Sequence, residues 1–484
     1  MSLALLPRPG ERLTPLERLE VLCDPDSLNL IRTEVRSRRM GAHARAGDGV
    51  LAASGRIDGR SVFCFAQDRS FAGGSLGQAH ADTVIKVHQL AGRARVPVIG
   101  FIESAGARMQ EGLEALGGYG RIFREHVRLS GRVPQISIVC GPSAGGGSYA
   151  PALTDFVIMA GANASMFLTG PAVVAKVTGE EVDAAALGGP RVHERSGVCH
   201  LVAPTEVDGA LLARDLLDYL PQRADETPPR WPSVAPPGLA PESVVPSESR
   251  RVYDVRDVAR ALADGGRLLE VSPRYARNIV CALARLDGRA IGVVANQPRY
   301  LGGVLDAASA QKAARFVRTC NLFGLPLVVL VDTPGFLPGT KQERAGVIRH
   351  GAKLVYAFAE ATVARVTVVL RKSFGGAFIA MNSKDLGADF VFAWPGAQIG
   401  VMGATQAVDV IHRREIAAAK DPERARATLA AAYAKEHLGS GSAGADGFVD
   451  EVIPPSATRS RIAAALSSLE GSRPEPRTSG NPPL

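Results

Sequence analysis

Hydrophobic spacing along the chain changes period several times and then repeats the same series of changes. Residues 12–40 open with Leu16, Leu19 and Val21 or Leu22 at helical spacing, which predicts a short helix followed by an irregular arm. GVLAASGRIDGRSVFCFAQD then reads as two β-rich runs flanking Asp58-Gly59, a hairpin turn. Gly73-Gly74 make the next turn, Val84, Val87 and Ala91 share one helical face, and Pro97 with VIGFI begins a buried strand. The series returns in the second half. It runs through a helix over Val255 to Leu262, two runs around Asp287-Gly288, a turn at Gly302-Gly303, a helix with Ala310, Ala313, Ala314 and Val317 inside, and a strand after Pro326. The offsets from Gly73 to Gly302, from Pro97 to Pro326 and from Gly145 to Gly375 are all about 230 residues, the mark of an internal duplication.

Alternation of strand, helix and strand predicts an α/β fold with parallel sheets built by right-handed crossovers, repeated in two tandem domains. Residues 221–249 are dense in Pro and Ser without apolar periodicity and read as a linker. The boundary is therefore expected near 245, giving domains 1–245 and 246–484. Residues 412–437 are strongly helix-forming, GSGSAGADG after them reads as a loop, and the last dozen residues are expected to lack order.

Composition narrows the class. The chain has 484 residues, 46% hydrophobic and 21% charged, enough for more than one core. Its net charge of +8 comes mostly from Arg scattered among acids, with no lysine-rich run and few aromatics, a pattern that argues against nucleic acid and fits attraction of polyanionic small molecules. The six cysteines are far apart, without C-x-x-C, and read as cytosolic thiols. No apolar run is long enough for a signal peptide or a membrane span, so a cytoplasmic protein is expected.

The chemistry centres on Val368 to Ala377, VVLRKSFGGA, where a β-branched run feeds Gly375, Gly376 and Ala377. Such a strand end turns backbone N–H groups toward a reacting oxygen, an oxyanion hole. ISIVCGPSAGGGSYA places Gly145 and Gly146 in the same setting one repeat earlier. A single glycine pair is more often a tight, closely packed turn; two pairs in equivalent places favour function. The neighbouring strands also end in small-residue turns, Ser104-Ala105-Gly106-Ala107 and Thr333-Pro334-Gly335-Phe336. No HExxH, phosphate-binding loop or CxxC is present. Gly141 to Gly145 match the GxSxG nucleophile elbow, but no Asp and His downstream stand out as partners for Ser143. His88 reads as a tolerated surface or core residue, and Glu103, Asp155 and Asp389 read as caps or ion pairs. A pair of backbone holes without a dedicated acid or base suits a reaction in which two oxyanions develop together, for example an enolate and a urea-type oxygen.

In combination FAGGSLGQAHADTVIKV, SAGARMQEG, GPSAGGGSYAPALTDF, NQPRYLGGVLD, DTPGFLPGTKQE, VVLRKSFGGAF and SKDLGADFVFAWPGAQIGVMGA resemble the carboxyltransferase (β) subunits of biotin-dependent acyl-CoA carboxylases. The resemblance runs from about residue 15 to 465. It implies two tandem crotonase-like domains, a homohexamer, and active sites shared between the N-terminal half of one subunit and the C-terminal half of another. It implies that Gly145 and Gly146 hold the enolate of the acyl-CoA thioester, with Ala105 and Gly106 on the substrate side. Gly376 and Ala377 then hold the ureido oxygen of biotin, with Gly375, Phe378, Pro334, Gly335 and Phe336 around the cofactor. In that scheme the base is biotin itself, freed when carboxybiotin gives up carbon dioxide, and no metal is needed. Ile379 matches a position lining the acyl pocket where propionyl-selective relatives carry Asp, which implies a different or looser preference, including acetyl or longer chains. The chain departs from many relatives at Ser143, Ala105, Phe374 and Phe378. It has no Met-Lys-Met biotinylation sequence, so a partner carrying biotin carboxylase and biotin carrier domains is implied. Two alternatives stay open: an acyl-CoA decarboxylase of the malonyl or methylmalonyl type, and an inactive scaffold paralogue in a mixed ring.

Overall fold

A computed structural model describes residues 12–248, 251–471 and 480–482. Contacts gather the described residues up to Pro228, together with the piece around Asn481, into one compact unit and those from Pro229 onward into a second.

In the first unit, α1 (Pro15–Leu22) is started by a capping box between Thr14 and Glu17 with proline at its first turn, and buries Leu19 and Leu22. Eight strands follow: β1 (Asn29–Ile31), β2 (Val50–Ile57), β3 (Arg60–Gln67), β4 (Val98–Ser104), β5 (Gln135–Ala144), β6 (Phe156–Ala160), β7 (Ser165–Phe167) and β8 (Leu201–Ala203). They form one sheet in the order β1-β2-β3-β4-β5-β6-β8, with β7 added beside the end of β5. The first three strands run antiparallel, and the rest pair in parallel. Asp58 and Gly59 both take positive φ, 49° and 76°, as a two-residue hairpin turn with the right twist requires. Helices α2 (Gln78–Ala94) and α3 (Leu113–Leu129) cover the sheet, burying Val84, Val87, Ala91, Ile122 and Leu129 against Val98 and Ile102.

The second unit repeats this plan. Strands β9 (Leu268–Glu270), β10 (Ile279–Leu286), β11 (Arg289–Asn296), β12 (Leu327–Thr333), β13 (Arg365–Phe374), β14 (Phe390–Ala393), β15 (Gln398–Gly400) and β16 (Glu451–Val452) order as β9-β10-β11-β12-β13-β14-β16, with β15 beside the end of β13. The Asp287-Gly288 hairpin again has positive φ at both residues, 54° and 73°. The helix Val255–Leu262, read from the spacing, packs with the helix Thr458–Ser468 onto a core of Val280, Val328, Val366 and Phe392.

Three local readings differ from the structure. The Pro/Ser-rich stretch expected to link the halves as far as 245 packs onto the second unit from Pro229: Trp231 N–H donates to Gly288 O at 2.9 Å, and the Arg285 guanidinium lies over the Trp231 ring. Proline-rich chain lacks periodicity yet still docks where single residues find partners, which is why composition placed the boundary late. The glycine-rich run read as a loop contains a helix, Ser440–Ala445, started from extended Gly439 and held where Ser440 Oγ donates to Pro395 O at 3.1 Å. Residues 412–437 are helical but broken into Arg413–Ala418 and Pro422–Tyr433, because Asp421 caps a new helix that begins with proline. Of the last dozen residues only Gly480, Asn481 and Pro482 are described; Asn481 is buried and its N–H donates to Ser130 Oγ at 2.8 Å. The others lie outside the described residues.

Candidate active site

Each sheet ends its longest parallel strand in a glycine turn that opens a short helix. In the first unit β5 runs to Ala144, Gly145 takes φ 56°, and α4 (Gly146–Ala152) starts. Only glycine occupies that backbone region without strain, and the reversal points the first helical N–H groups out of the sheet end. Gly145 N–H is engaged by Phe167 O on β7 at 3.0 Å, and Ser148 N–H returns to Gly145 O at 3.0 Å. Ser148 Oγ ties the turn down further, donating to Ser143 O at 2.5 Å and accepting from Phe167 N–H at 3.0 Å. The donors this leaves at the helix start are those of Gly146 and Gly147.

A second glycine requirement sits beside the first. A Cβ on Gly146 would stand 2.6 Å from the Tyr119 ring, and one on Gly147 would stand 3.0 Å from Ser143 Oγ. Tyr119 is buried with its hydroxyl 3.2 Å from Ser104 Oγ, and burial pushes its phenol up to about 12, so it stays protonated. Ser104 Oγ also accepts from Gly106 N–H at 3.2 Å, and Gly106, at φ 98°, approaches Ala144 O closely enough that a Cβ would lie 3.4 Å from it. The structure therefore brings Ala105 and Gly106 alongside the Gly145–Gly147 turn. Ser143 Oγ is buried without a hydrogen-bond partner, so no histidine stands against it as a base.

In the second unit β13 runs to Phe374, Gly375 takes φ 60°, and the helix Gly375–Ala380 starts. The repeat sets Gly375 on Gly145, which places Gly376 and Ala377 on Gly146 and Gly147. The strand-end loop at Thr333 to Phe336 lies alongside: Gly335 N–H donates to Thr333 Oγ1 at 3.3 Å, and the Phe336 ring is the nearest group to a Cβ on Gly376, at 3.7 Å. Pro334 on that loop is exposed.

This second turn borders a cavity of about 560 Å³ lined by Gly375, Gly376, Phe378, Ile379, Val401 and Phe448. Asp385, Asp446 and His437 add polar groups to its wall. Phe378 and Phe448 meet edge to face at 6.3 Å, and Ile379 is half exposed into the space. An apolar cavity with convergent backbone donors at one end is built to take an uncharged or delocalised group and stabilise one oxygen on it.

The acids at the strand ends near the turns are paired. Glu103 lies buried against Arg18 and Arg12, and Asp332 is buried against Arg371. Asp155 and Asp389 cap strand starts, accepting from Gln135 N–H at 2.9 Å and Arg365 N–H at 2.7 Å. His88 is a core residue, its ring 4.4 Å from that of His126. Among the described residues no group of three His, Cys, Asp or Glu could hold a metal, and no helix is long and apolar enough to cross a membrane.

The carboxyl transferase domain model matches residues 8–479. The chain is 46% identical over 477 residues to a putative propionyl-CoA carboxylase beta chain of Bacillus subtilis (strain 168), covering 98% of this chain and 94% of that one. It is 44% identical over 483 residues to the methylmalonyl-CoA decarboxylase subunit alpha of Veillonella parvula, covering 98% and 93%. Its fold superposes with a TM-score of 0.92, at 45% identity and covering 98% and 92%, on the transcarboxylase 12S crystal structure, a hexamer with methylmalonyl-coenzyme A and methylmalonic acid bound.

Proposed function

The chain belongs to the carboxyl transferase family, with its duplicated crotonase-like fold, and from that premise we propose that it moves a carboxyl group from carboxybiotin to the α-carbon of a short-chain acyl-CoA. The observation that carries this reading is the pair of equivalent turns, each opening a short helix with backbone donors at its start. At the first turn the N–H groups of Gly146 and Gly147 hold the thioester oxygen as it gains enolate charge. At the second, Gly376 and Ala377 hold the ureido oxygen. Donors fixed by the fold cost no reorganisation during reaction, and one of them is worth about 3 kcal/mol of barrier.

The residues around the second turn fit biotin: glycine keeps Gly376 clear on its cavity side, and the apolar wall of Phe378 and Phe448 matches a fused ring with an aliphatic arm. Carboxybiotin supplies the carboxyl group and the base for the α-proton, carried on a biotin carboxylase and carrier partner. The chain's own residues orient the two reactants, exclude water with Phe336 and Phe378, and leave Tyr119 neutral beneath the thioester turn. Ile379 sets the acyl preference, its apolar side chain admitting chains from acetyl upward. We place the chain in a homohexamer, where the half-site of one copy completes that of another, and in the cytoplasm, in keeping with six free, buried thiols.

The test is direct. Purified protein with a biotinylated partner, ATP and bicarbonate is expected to carboxylate acetyl-, propionyl- or butyryl-CoA; no product from any of the panel would sink the reading. The similarity to the Veillonella decarboxylase subunit favours a second direction for the same site. Carbon dioxide released from malonyl- or methylmalonyl-CoA without ATP would establish it.

A further inference from the structure

Beneath each glycine turn lies a buried carboxylate at the same place in the repeat. Glu103 is the next-to-last residue of β4 and Asp332 of β12, and both are almost fully buried. At both the strand register slips. Ile102 pairs with Val139 but Ser104 with Ser143, and Val331 pairs with Val369 but Thr333 with Ser373. Three residues of the neighbouring strand thus face each acid alone, a bulge that bends β5 and β13 just before their turns. The backbone N–H of each acid donates to an amide at the end of the preceding strand, Gln67 Oε1 at 2.8 Å and Asn296 Oδ1 at 3.3 Å. A turn glycine presses on each carbonyl: a Cβ on Gly74 would collide with Glu103 O, and one on Gly303 with Asp332 O.

The charges are neutralised by different means. Glu103 receives Arg18 of α1 at 2.9 Å, Arg12, and Arg69 at 3.5 Å, while Gly141 beneath it has no room for a side chain. At the equivalent position the second unit has Arg371, whose Nε reaches Asp332 Oδ2 at 3.0 Å beside the Tyr253 hydroxyl at 3.0 Å. Arg371 also donates to Glu248 O at 3.0 Å and Arg251 O at 2.8 Å. Asp332 Oδ1 has no hydrogen-bond partner among the described residues. An ion pair buried at such cost is a poor way to fill space, since apolar residues of similar volume are often as stable or more so.

We propose that Glu103 and Asp332 are positioning residues, each locking with its arginine the bulge that aims a strand end, Glu103 for the donors of Gly146 and Gly147 and Asp332 for those of Gly376 and Ala377. The proposal deepens the reading above and rests on it for its effect on turnover. Because Arg371 lies on the strand that carries the turn, a lesion at Asp332 acts locally; because Arg18 comes from α1, one at Glu103 also loosens the N-terminal arm.

The experiment uses the full chain assembled with its biotin-bearing partner. Asp332→Asn is expected to lower kcat about tenfold or more while leaving KM for acyl-CoA within about twofold. In the same protein, amide exchange should quicken over residues 373–380 and stay unchanged over 143–152. Glu103→Gln should quicken exchange over 143–152 and spare 373–380. Tyr253→Phe, which removes one hydrogen bond and keeps the charge pair, should reproduce the Asp332→Asn pattern at smaller amplitude and serves if that variant fails to fold. Wild-type kcat, a rise in KM alone, or exchange quickened throughout the unit would each overturn the proposal. If wild-type protein transfers no carboxyl group, the functional reading falls, and the exchange pattern alone decides the positioning: local quickening supports it, uniform or absent quickening overturns it.

Discussion

Gly146 and Gly376 occupy one place in two copies of a sheet, yet an added methyl meets the Tyr119 ring at 2.6 Å in the first and nothing nearer than Phe336 at 3.7 Å in the second. The first turn is pressed against the side chains of α3; the second faces a cavity of about 560 Å³. Glycine is therefore required at Gly146 by the fold and at Gly376 only by whatever approaches from the cavity. Duplication kept the backbone turn in both copies and let its two sides diverge, one closing onto the core and the other opening onto a cavity. The buried acids diverged in the same way, with a distant arginine serving Glu103 and a neighbouring one serving Asp332.

Valine at each position separates the two cases with the largest effect. Gly146→Val should both abolish transfer and destabilise the protein, since overpacking a filled core costs about 1–3 kcal/mol and Tyr119 has little room to yield. Gly376→Val should remove activity by about a hundredfold or more, as losing access to a backbone donor does, while the melting temperature and the oligomer stay unchanged. Thermal unfolding run beside the transfer assay checks both. A Gly146→Val protein that melts with wild type would dissolve the contrast, and full activity in Gly376→Val would remove the donor role from the second turn.

Substitution at Ile379 tests what the open side is for. A charged residue in that apolar wall disfavours longer acyl chains, and a methylene or two in such a pocket is worth about 1–3 kcal/mol. Ile379→Asp is thus expected to shift the ratio of kcat/KM for butyryl-CoA over propionyl-CoA downward by about tenfold or more, with stability unaltered because the side chain is half exposed. An unchanged ratio would place the acyl chain elsewhere.

Much of this contrast was legible in the residues, and the rest was hidden for identifiable reasons. The duplication, both Asp-Gly hairpins and the paired glycine turns show in spacing alone, because turn geometry is local and glycine marks positive φ. Glu103 stood out as a strand-end acid expected to cap or to form an ion pair, and it pairs with Arg18. Its partner was out of reach, since Arg18 lies 85 residues away in the chain. Asp332, its counterpart, was passed over, although the repeat offset from Glu103 was signal enough to find it. That Gly145 N–H is already engaged was hidden, because a run of three glycines does not reveal which N–H is bonded; Phe167, on a strand added later, decides that. The boundary and the Ser440–Ala445 helix depended on docking contacts that composition does not carry.

Acid provides a subtler separation of the two units. Burial holds His80, His88 and His126 of the first unit down to about 3, 4 and 3. In the unfolded chain the same imidazoles titrate near 6.5, so below about pH 6.5 the unfolded state binds more protons and stability falls with each step toward pH 4. Above that pH both states are neutral and the contribution is complete. The second unit has no such buried trio among its described residues; His350 is buried there without a second buried histidine against it. Hydrogen exchange at pH 5, compared with pH 7 after correction for intrinsic rates, should show peptides of α2 and α3 losing protection before those of Val347–Glu360. Equal loss in both units would mean that the histidines do not govern acid stability.

Alanine at Gly376 carries the smallest expected effect and the cleanest meaning. Its Cβ would sit at ordinary van der Waals distance from Phe336, and the residue lies inside a helix, where alanine is better than glycine by up to about 1 kcal/mol. Gly376→Ala should therefore melt at or slightly above the wild-type temperature. Gly146→Ala, with Tyr119 at 2.6 Å, should melt below it. Any loss of transfer in Gly376→Ala then arises on the cavity side, because the fold has accepted the methyl, and its size measures how closely the bound group approaches the turn. A fall in melting temperature equal to that of Gly146→Ala would show instead that the second turn is as tightly packed as the first, and the two copies would have to be read as one device again.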